Sequence, residues 1–348
     1  MTDDKAYFSK APGRNIENMV GLTKIPLGAA GPINGFTLPF ATTEGALVAS
    51  VNRGCKAIRE AGGAQVIVEL VGASRGPVFQ VANLSAGQKL IVWVRKNFKK
   101  LQAVAHKTEP HLTLLSFKPQ LLGRRVWLRF SFDTQEAMGM NMATMASEAV
   151  AKEIELKTKA RLIAISGNYC VDKKASWLNF IEGRGKKVWA EAVISRRVVK
   201  AILKTDPEKI IEVVHSKDWL GSILSGSLGF NAHFANIVVA MFLATGQDLA
   251  HVVEGSMGVT LAELSGRDLY FSIYLPSLMV GTVGGGTHLP TQKAALEMLG
   301  ISGTKSGGAV RLAEAIGLGV LAGELSLTAA LASRDLGKAH QKLGRGND

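Results

Sequence analysis

The sequence predicts an α+β protein in which a small α+β domain is inserted into a large, helix-rich one. Three observations carry that expectation. The chain has 348 residues, about the length of two domains. It is 47% hydrophobic and 20% charged, ordinary for a protein with a substantial core. Its middle part passes from helical periodicity to strand alternation and back.

From the N-terminus, "MTDDKAYFSK" is polar, with neither the apolar core of a signal peptide nor the basic, acid-poor character of a transit peptide. With only two cysteines, Cys55 and Cys170, the expected compartment is a reducing cytoplasm. Residues 237–245 are apolar but too short to span a bilayer, and the longer apolar stretch near the C-terminus carries Glu324. No membrane anchor is expected. Residues 44–61 set Leu47, Val48, Val51, Cys55 and Ile58 at helical spacing, with small residues between them for close packing. Glu44 stands at the entrance of that helix, after Thr43. A carboxylate there complements the helix dipole or serves chemistry, and the local residues leave both open.

The middle, from "KLIVWVRKNFKK" through "VWLRFSF" to "EAMGMNM", reads strand, helix, strand, strand, then a helix opening near Glu136. The inserted domain is therefore assigned to residues 77–165, leaving 1–76 and 166–348 for the large domain. In "EAMGMNM", Gly139 lets a ligand approach a helix N-terminus, whose free N–H groups favour anionic oxygens; methionines packing a core are the alternative. No G-x-G-x-x-G fingerprint follows a strand, so no ordinary Rossmann domain is expected.

Next, "RLIAI" reads as a strand. The turn after it presents Asp172, Lys173 and Lys174, and Arg184, Lys186 and Lys187 follow. Such a local excess suits a substrate with several negative groups. "NAHFANIVVAMFLATGQDLA" is an apolar helix with Asp248 near its C-terminal end, where the dipole disfavours an acid. "VGTVGGGTHLP" offers backbone N–H groups unobstructed by side chains, or a flexible loop. The net charge of +13 suits a nucleic acid, an anionic membrane surface or an acidic small molecule. Nucleic acid is disfavoured: there is no RNA-recognition signature or zinc-finger spacing, and 6% aromatic residues give little stacking capacity.

Taken together, "ENMVGLTKIPLGAAGPI", "PFATTEGALVASVNRGCKAI", "EAMGMNM", "SGNYCVDKK", "IEGRGK", "NAHFANI", "GQD" and "GTVGGGT" stand in the order found in hydroxymethylglutaryl-coenzyme A reductases. The chain resembles the eukaryotic and archaeal class, class I, from about Glu17 to His340. The resemblance implies a small ferredoxin-like dinucleotide-binding domain, and reduction of the thioester of 3-hydroxy-3-methylglutaryl-coenzyme A to mevalonate and coenzyme A. Two hydrides come from NADPH, with no metal. The same chemistry run backwards, mevalonate oxidation, is open to the same residues. The family also implies a homodimer or dimer of dimers with shared active sites, the loop bearing Lys173 meeting Glu44 across an interface.

Residue by residue, the family's catalytic glutamate, lysine, aspartate and histidine fall on Glu44, Lys173, Asp248 and His340. Its positions around the hydroxymethylglutaryl group fall on Arg75, Ser166, Asp172, Lys174, Lys217, His233 and Asn236, and those near coenzyme A on Asn52 and Arg53. Its dinucleotide motif falls on Glu136, Met138, Gly139, Met140 and Asn141, with Gly284, Gly285 and Gly286 as further cofactor contacts.

Three departures stand out. Gln135-Glu136 replaces a common Gly-Asp. The match begins within the first twenty residues, so the family's small N-terminal helical domain is expected to be nearly absent. Where many relatives carry Ser-Arg for the 2′-phosphate of NADPH, this chain has "KTEPHL". An acid at Glu109, followed by Pro110, favours the ribose hydroxyls of NADH, with Lys107 and His111 able to compensate for NADPH.

Overall fold

The computed structural model describes residues 4–301 and 306–334, so His340 lies outside the described residues. The α+β architecture is found. Strands β1 (Leu27–Ile33) and β2 (Phe36–Ala41) pair as an antiparallel hairpin. The other nine form one sheet: β3 (Gln65–Arg75), β4 (Val78–Gln80), β5 (Thr113–Leu122), β6 (Arg125–Asp133), β7 (Arg161–Ala164), β8 (Gly185–Ile194), β9 (Gly229–Phe230), β10 (Gly258–Ser265) and β11 (Asp268–Leu278). Their order is β7-β4-β6-β3-β8-β11-β10-β9, with β5 on the far side of β6.

Strand β3 is the join. Its first part, Gln65 to Gly72, pairs with β8, and its last three residues, Ala73 to Arg75, pair with β6. On one side of that switch β7, β4, β6 and β5 are antiparallel throughout, with helices between β4 and β5 and between β6 and β7. That is the split β-α-β-β-α-β arrangement of ferredoxin-like folds. Its own core gathers Phe79, Leu101, Phe130, Phe132, Val150 and Ile154.

The sequence-based strand at "KLIVWV" is a helix here, Leu84–Lys96. Leu90, Ile91 and Val94 bury one face, and the Asn83 side chain caps the start by accepting the Ala86 N–H. A run of β-branched residues does not force a strand when its burial recurs every three to four residues. The first strand of this unit is instead β4, only three residues long. The helix expected near Glu136 starts at Met140.

The larger core is built on the Gly308–Ser333 helix, packed among β2, β8, β11 and the helices Leu47–Glu60 and Phe234–Thr245. By length and hydropathy that helix could cross a membrane, but 83% of its most apolar window is buried inside the protein, as in a core helix of a globular fold. A Cβ added at Gly54 would lie 1.9 Å from the Ala322 carbonyl oxygen. The small residues of the Leu47–Glu60 helix therefore let two backbones touch.

Candidate active site

Lys173 sits on a tense loop. Asn168, Val171 and Lys173 all have positive φ, at 62°, 48° and 56°, and for a β-branched valine this conformation is costly. Surrounding groups hold it there. The Ser74 hydroxyl donates to the Cys170 carbonyl at 2.9 Å, the Asn179 amide donates to the Val171 carbonyl at 2.7 Å, and the Lys173 N–H donates to Glu254 at 3.3 Å. The outcome is an ammonium facing Asp248, Nζ to Oδ2 2.7 Å, with the two side chains 40% and 34% exposed to solvent.

Asp248 is differently placed from the sequence-based expectation. The Phe234–Thr245 helix ends at Gly246, and Asp248 caps the start of the next turn, accepting the Ala250 N–H at 3.1 Å. A carboxylate belongs at a helix start, not at its end, so the apparent misfit with the dipole disappears. Burial works to raise the Asp248 carboxyl, but the Lys173 and Ala250 hydrogen bonds and the charges of His251 and Lys173 outweigh it. Its pKa lies below the ordinary value, and the ion pair is intact at neutral pH.

Behind this pair lies a fully buried guanidinium. Arg184 contacts Glu254 at 2.5 Å, Asp172 at 2.9 Å and the Ser74 hydroxyl at 3.0 Å. Arg75 reaches the other oxygen of Asp172 at 3.4 Å. The expected basic excess for an anionic substrate is thus only partly a surface. Arg184 and Lys186 are buried; burial brings the Lys186 ammonium down to about 8 against the charges of Glu136 and Asp133, and it donates to the Val280 carbonyl. Lysines and arginines of one short segment can point to opposite faces of a strand, which charge counting does not resolve. Cys55 is equally interior, its thiol pushed up to about 12 by burial.

One cleft, of about 630 Å³, gathers much of the expected set: Arg75, Asp172, Lys173 and Asp248 on one side, Met138, Gly139, Met140 and Asn141 with Gly284, Gly285 and Gly286 on the other. Gly139 has φ 83° and precedes the Met140–Lys157 helix with no side chain capping it. A Cβ there would strike Thr134 at 2.3 Å. Its neighbour Met140 is nearly buried and receives an Arg184 N–H on its sulfur, so that methionine serves the core while lining the cleft.

Glu136 is beside this motif and already engaged. Its two carboxylate oxygens accept the N–H groups of Gly307 and Ala309, each at 2.6 Å, capping the Gly308–Ser333 helix. It fastens the dinucleotide-type motif to the long core helix. Gln247, unremarked in the sequence, makes a second fastening by pairing with both backbone groups of Gly281.

Glu44 lies apart. Its helix starts at Leu47, with Ala46 at φ 69° and no side-chain cap, so Glu44 stands in the preceding loop, exposed, and does not complement a dipole. Its carboxylate accepts the Asn236 amide at 3.3 Å. Lys217 and His233 line a separate cleft of about 440 Å³. There the buried Glu324 accepts the backbone N–H groups of Ala232 and His233 and the Thr260 hydroxyl, fixing the turn that carries His233. Asn52 and Arg53 line a third cleft, about 470 Å³, with Lys56, Arg59 and Lys204. Sequence reading missed those three bases because they come from two separated segments. Ser166 contacts the Cys170 sulfur at 3.4 Å and Lys174 turns to the Asp172 carbonyl. Glu109 ends the Phe98–Thr108 helix, half-buried, and does not line the 630 Å³ cleft.

The comparisons with known proteins agree with one another. The family model described as hydroxymethylglutaryl-coenzyme A reductase matches residues 2–345. The 3-hydroxy-3-methylglutaryl-coenzyme A reductase of Haloferax volcanii is 52% identical over 97% of this chain and 87% of its own. The protein of that name from Pyrococcus horikoshii is 51% identical over 97% and 86%. A solved class II 3-hydroxy-3-methylglutaryl-CoA reductase from Streptococcus pneumoniae, bound to NADPH in open conformations, has a TM-score of 0.72 at 22% identity, covering 91% of this chain and 88% of that one; this likeness is one of fold. The chain belongs to the hydroxymethylglutaryl-coenzyme A reductase family.

Proposed function

We propose that this chain works as a class I member of its family, with Lys173, Asp248, Glu44 and His340 as its catalytic set. It is an NAD(P)H-dependent oxidoreductase that reduces 3-hydroxy-3-methylglutaryl-coenzyme A to mevalonate and coenzyme A. The observation that carries the assignment of residues is the Lys173–Asp248 pair opening into the same cleft as Met138–Asn141 and the three glycines.

The dinucleotide supplies the two hydrides when bound. The uncapped helix start at Gly139 suits its anionic oxygens. As negative charge grows on the thioester oxygen, the Lys173 ammonium stabilises it more than it stabilises the ground state. Asp248 keeps that ammonium aimed. His340 protonates the departing thiolate, and Glu44 protonates the oxygen formed in the second reduction. Arg75, with Lys217, Lys174 and the amide of Asn236, suits the free carboxylate of the substrate, together with Asp172, Ser166 and His233 around its hydroxyl. The basic cleft of Asn52, Arg53, Lys56, Arg59 and Lys204 suits the phosphates of coenzyme A. NADPH is the first choice of cofactor and NADH the second, through Glu109.

We assign residues 77–165 as the dinucleotide-binding domain and 1–76 with 166–348 as the substrate-binding domain, in a cytoplasmic homodimer. The separation of Glu44 from the Lys173 cleft, and the exposed "ENMVG" with Val20 fully open to solvent, support an active site shared between two chains. Co-expression of Lys173→Ala and Glu44→Gln chains tests this. Heterodimers should regain about half of wild-type activity per dimer, because one of the two sites combines both intact residues. Heterodimers no more active than either variant alone would refute the shared site.

A further inference from the structure

His251 has no role in the catalytic set above, yet its whole ring is buried against it. Nδ1 lies 2.8 Å from Glu254 Oε1 and 3.2 Å from an Arg184 nitrogen. Nε2 points the other way, 3.7 Å from Asp248 Oδ2, the oxygen that also holds Lys173. The remaining acid nearby is Asp172, 3.9 Å from Nδ1. Nε2 itself is buried with no hydrogen-bond partner.

A buried polar atom without a partner is costly, so this one invites a partner that arrives at another stage. The candidate is fixed by geometry. For the Lys173 ammonium to serve the substrate oxygen, it must share or leave Asp248, and a half-buried carboxylate abandoned by its cation would drift or take up a proton. Three carboxylates, Glu254, Asp172 and Asp248, surround the ring; as an imidazolium it donates Nδ1–H to Glu254, which Arg184 anchors, and has a second donor, Nε2–H, facing Asp248. A short movement of Asp248 brings Oδ2 within hydrogen-bond reach of an Nε2–H. We propose that His251 is a positioning residue whose Nε2 takes up Asp248 when Lys173 turns to the substrate.

The proposal rests on the reading of Lys173 and Asp248 as catalytic, so the experiment carries Asp248→Asn as a reference. Steady-state kinetics and melting temperatures are measured for wild type, His251→Asn and His251→Gln. Asparagine puts its amide near the place of Nδ1 and keeps the contact with Glu254; glutamine reaches the place of Nε2 and can donate to Asp248. The expected result is a kcat lower by about tenfold or more in His251→Asn, with KM for the thioester within about threefold, and a kcat within about threefold of wild type in His251→Gln. A kcat within about threefold of wild type in His251→Asn would overturn the proposal, as would kcat losses of equal size in both variants. Asp248→Asn with undiminished kcat would instead remove the reading of the site itself.

Discussion

The two carboxylates expected to do chemistry sit in opposite surroundings. Asp248 is backed by a buried network: Lys173 in front, His251 behind, and Glu254 and Arg184 beneath. Glu44 is exposed on a loop, with one hydrogen bond, to Asn236. The first corner is organised before any substrate arrives, as electrostatic stabilisation of a developing oxyanion requires. The second is thinly held, with solvent on most of its sides. On the proposed reading Glu44 acts in the second reduction, and its surroundings are less preorganised than those of Asp248.

The sharpest break of the comparison is Lys173→Ala. If Lys173 aims its charge at the substrate oxygen as proposed, kcat should fall by about a thousandfold or more. Loss below about tenfold in the spectrophotometric assay would contradict the role. Glu44→Gln should cost less, about a hundredfold, and leave the melting temperature unchanged because the side chain is exposed and thinly held. A drop in thermal stability comparable with that of a core substitution would show that Glu44 is better integrated than its contacts indicate.

Asp218 extends the contrast to a buried acid outside the main cleft. It carries Lys217 on one oxygen at 3.1 Å, while its other oxygen is buried without a partner. Burial, with the charge of Glu324 added, raises its carboxyl to about 6 against the pull of Lys217. The folded chain therefore keeps a proton that the unfolded chain releases first. The associated stability is full below about pH 4 and is lost as the pH rises through about 6. Asp218→Asn should melt higher than wild type at pH 7.5, the gap closing toward pH 4. An equal gap at both pH values would exclude titration of Asp218 as its source.

The smallest effect concerns the cofactor. If Glu109 reads the adenine ribose, Glu109→Ser should move the ratio of kcat/KM for NADPH over NADH upward by about tenfold at most, and adding Pro110→Arg should move it further. An unchanged ratio in both variants would show that the half-buried Glu109 does not face the 2′ position.

Much of this was legible in the chain itself. Alternation in "VWLRFSF" marks β6, and helical spacing marks the Leu47–Glu60 helix, because each pattern records which face is buried. The run of motifs in order points to the family, which the comparisons bear out. "KLIVWV" misled because a short apolar run fits either a strand or the buried face of a helix. The decision lay with the Asn83 cap and the neighbours of Leu90, Ile91 and Val94.

By itself the sequence determined the family, the α+β class and the residue types available for chemistry. Tertiary structure decided what each charge does. Arg184 and Lys174 are ten residues apart and both cationic side chains, but one is sealed between Glu254 and Asp172 and the other is exposed. Glu136 and Glu44 are both acids beside functional motifs, but one caps a helix 171 residues away and the other stands nearly free. Local patterns cannot encode such outcomes. The cost of burying a charge is set by partners brought together from distant parts of the chain.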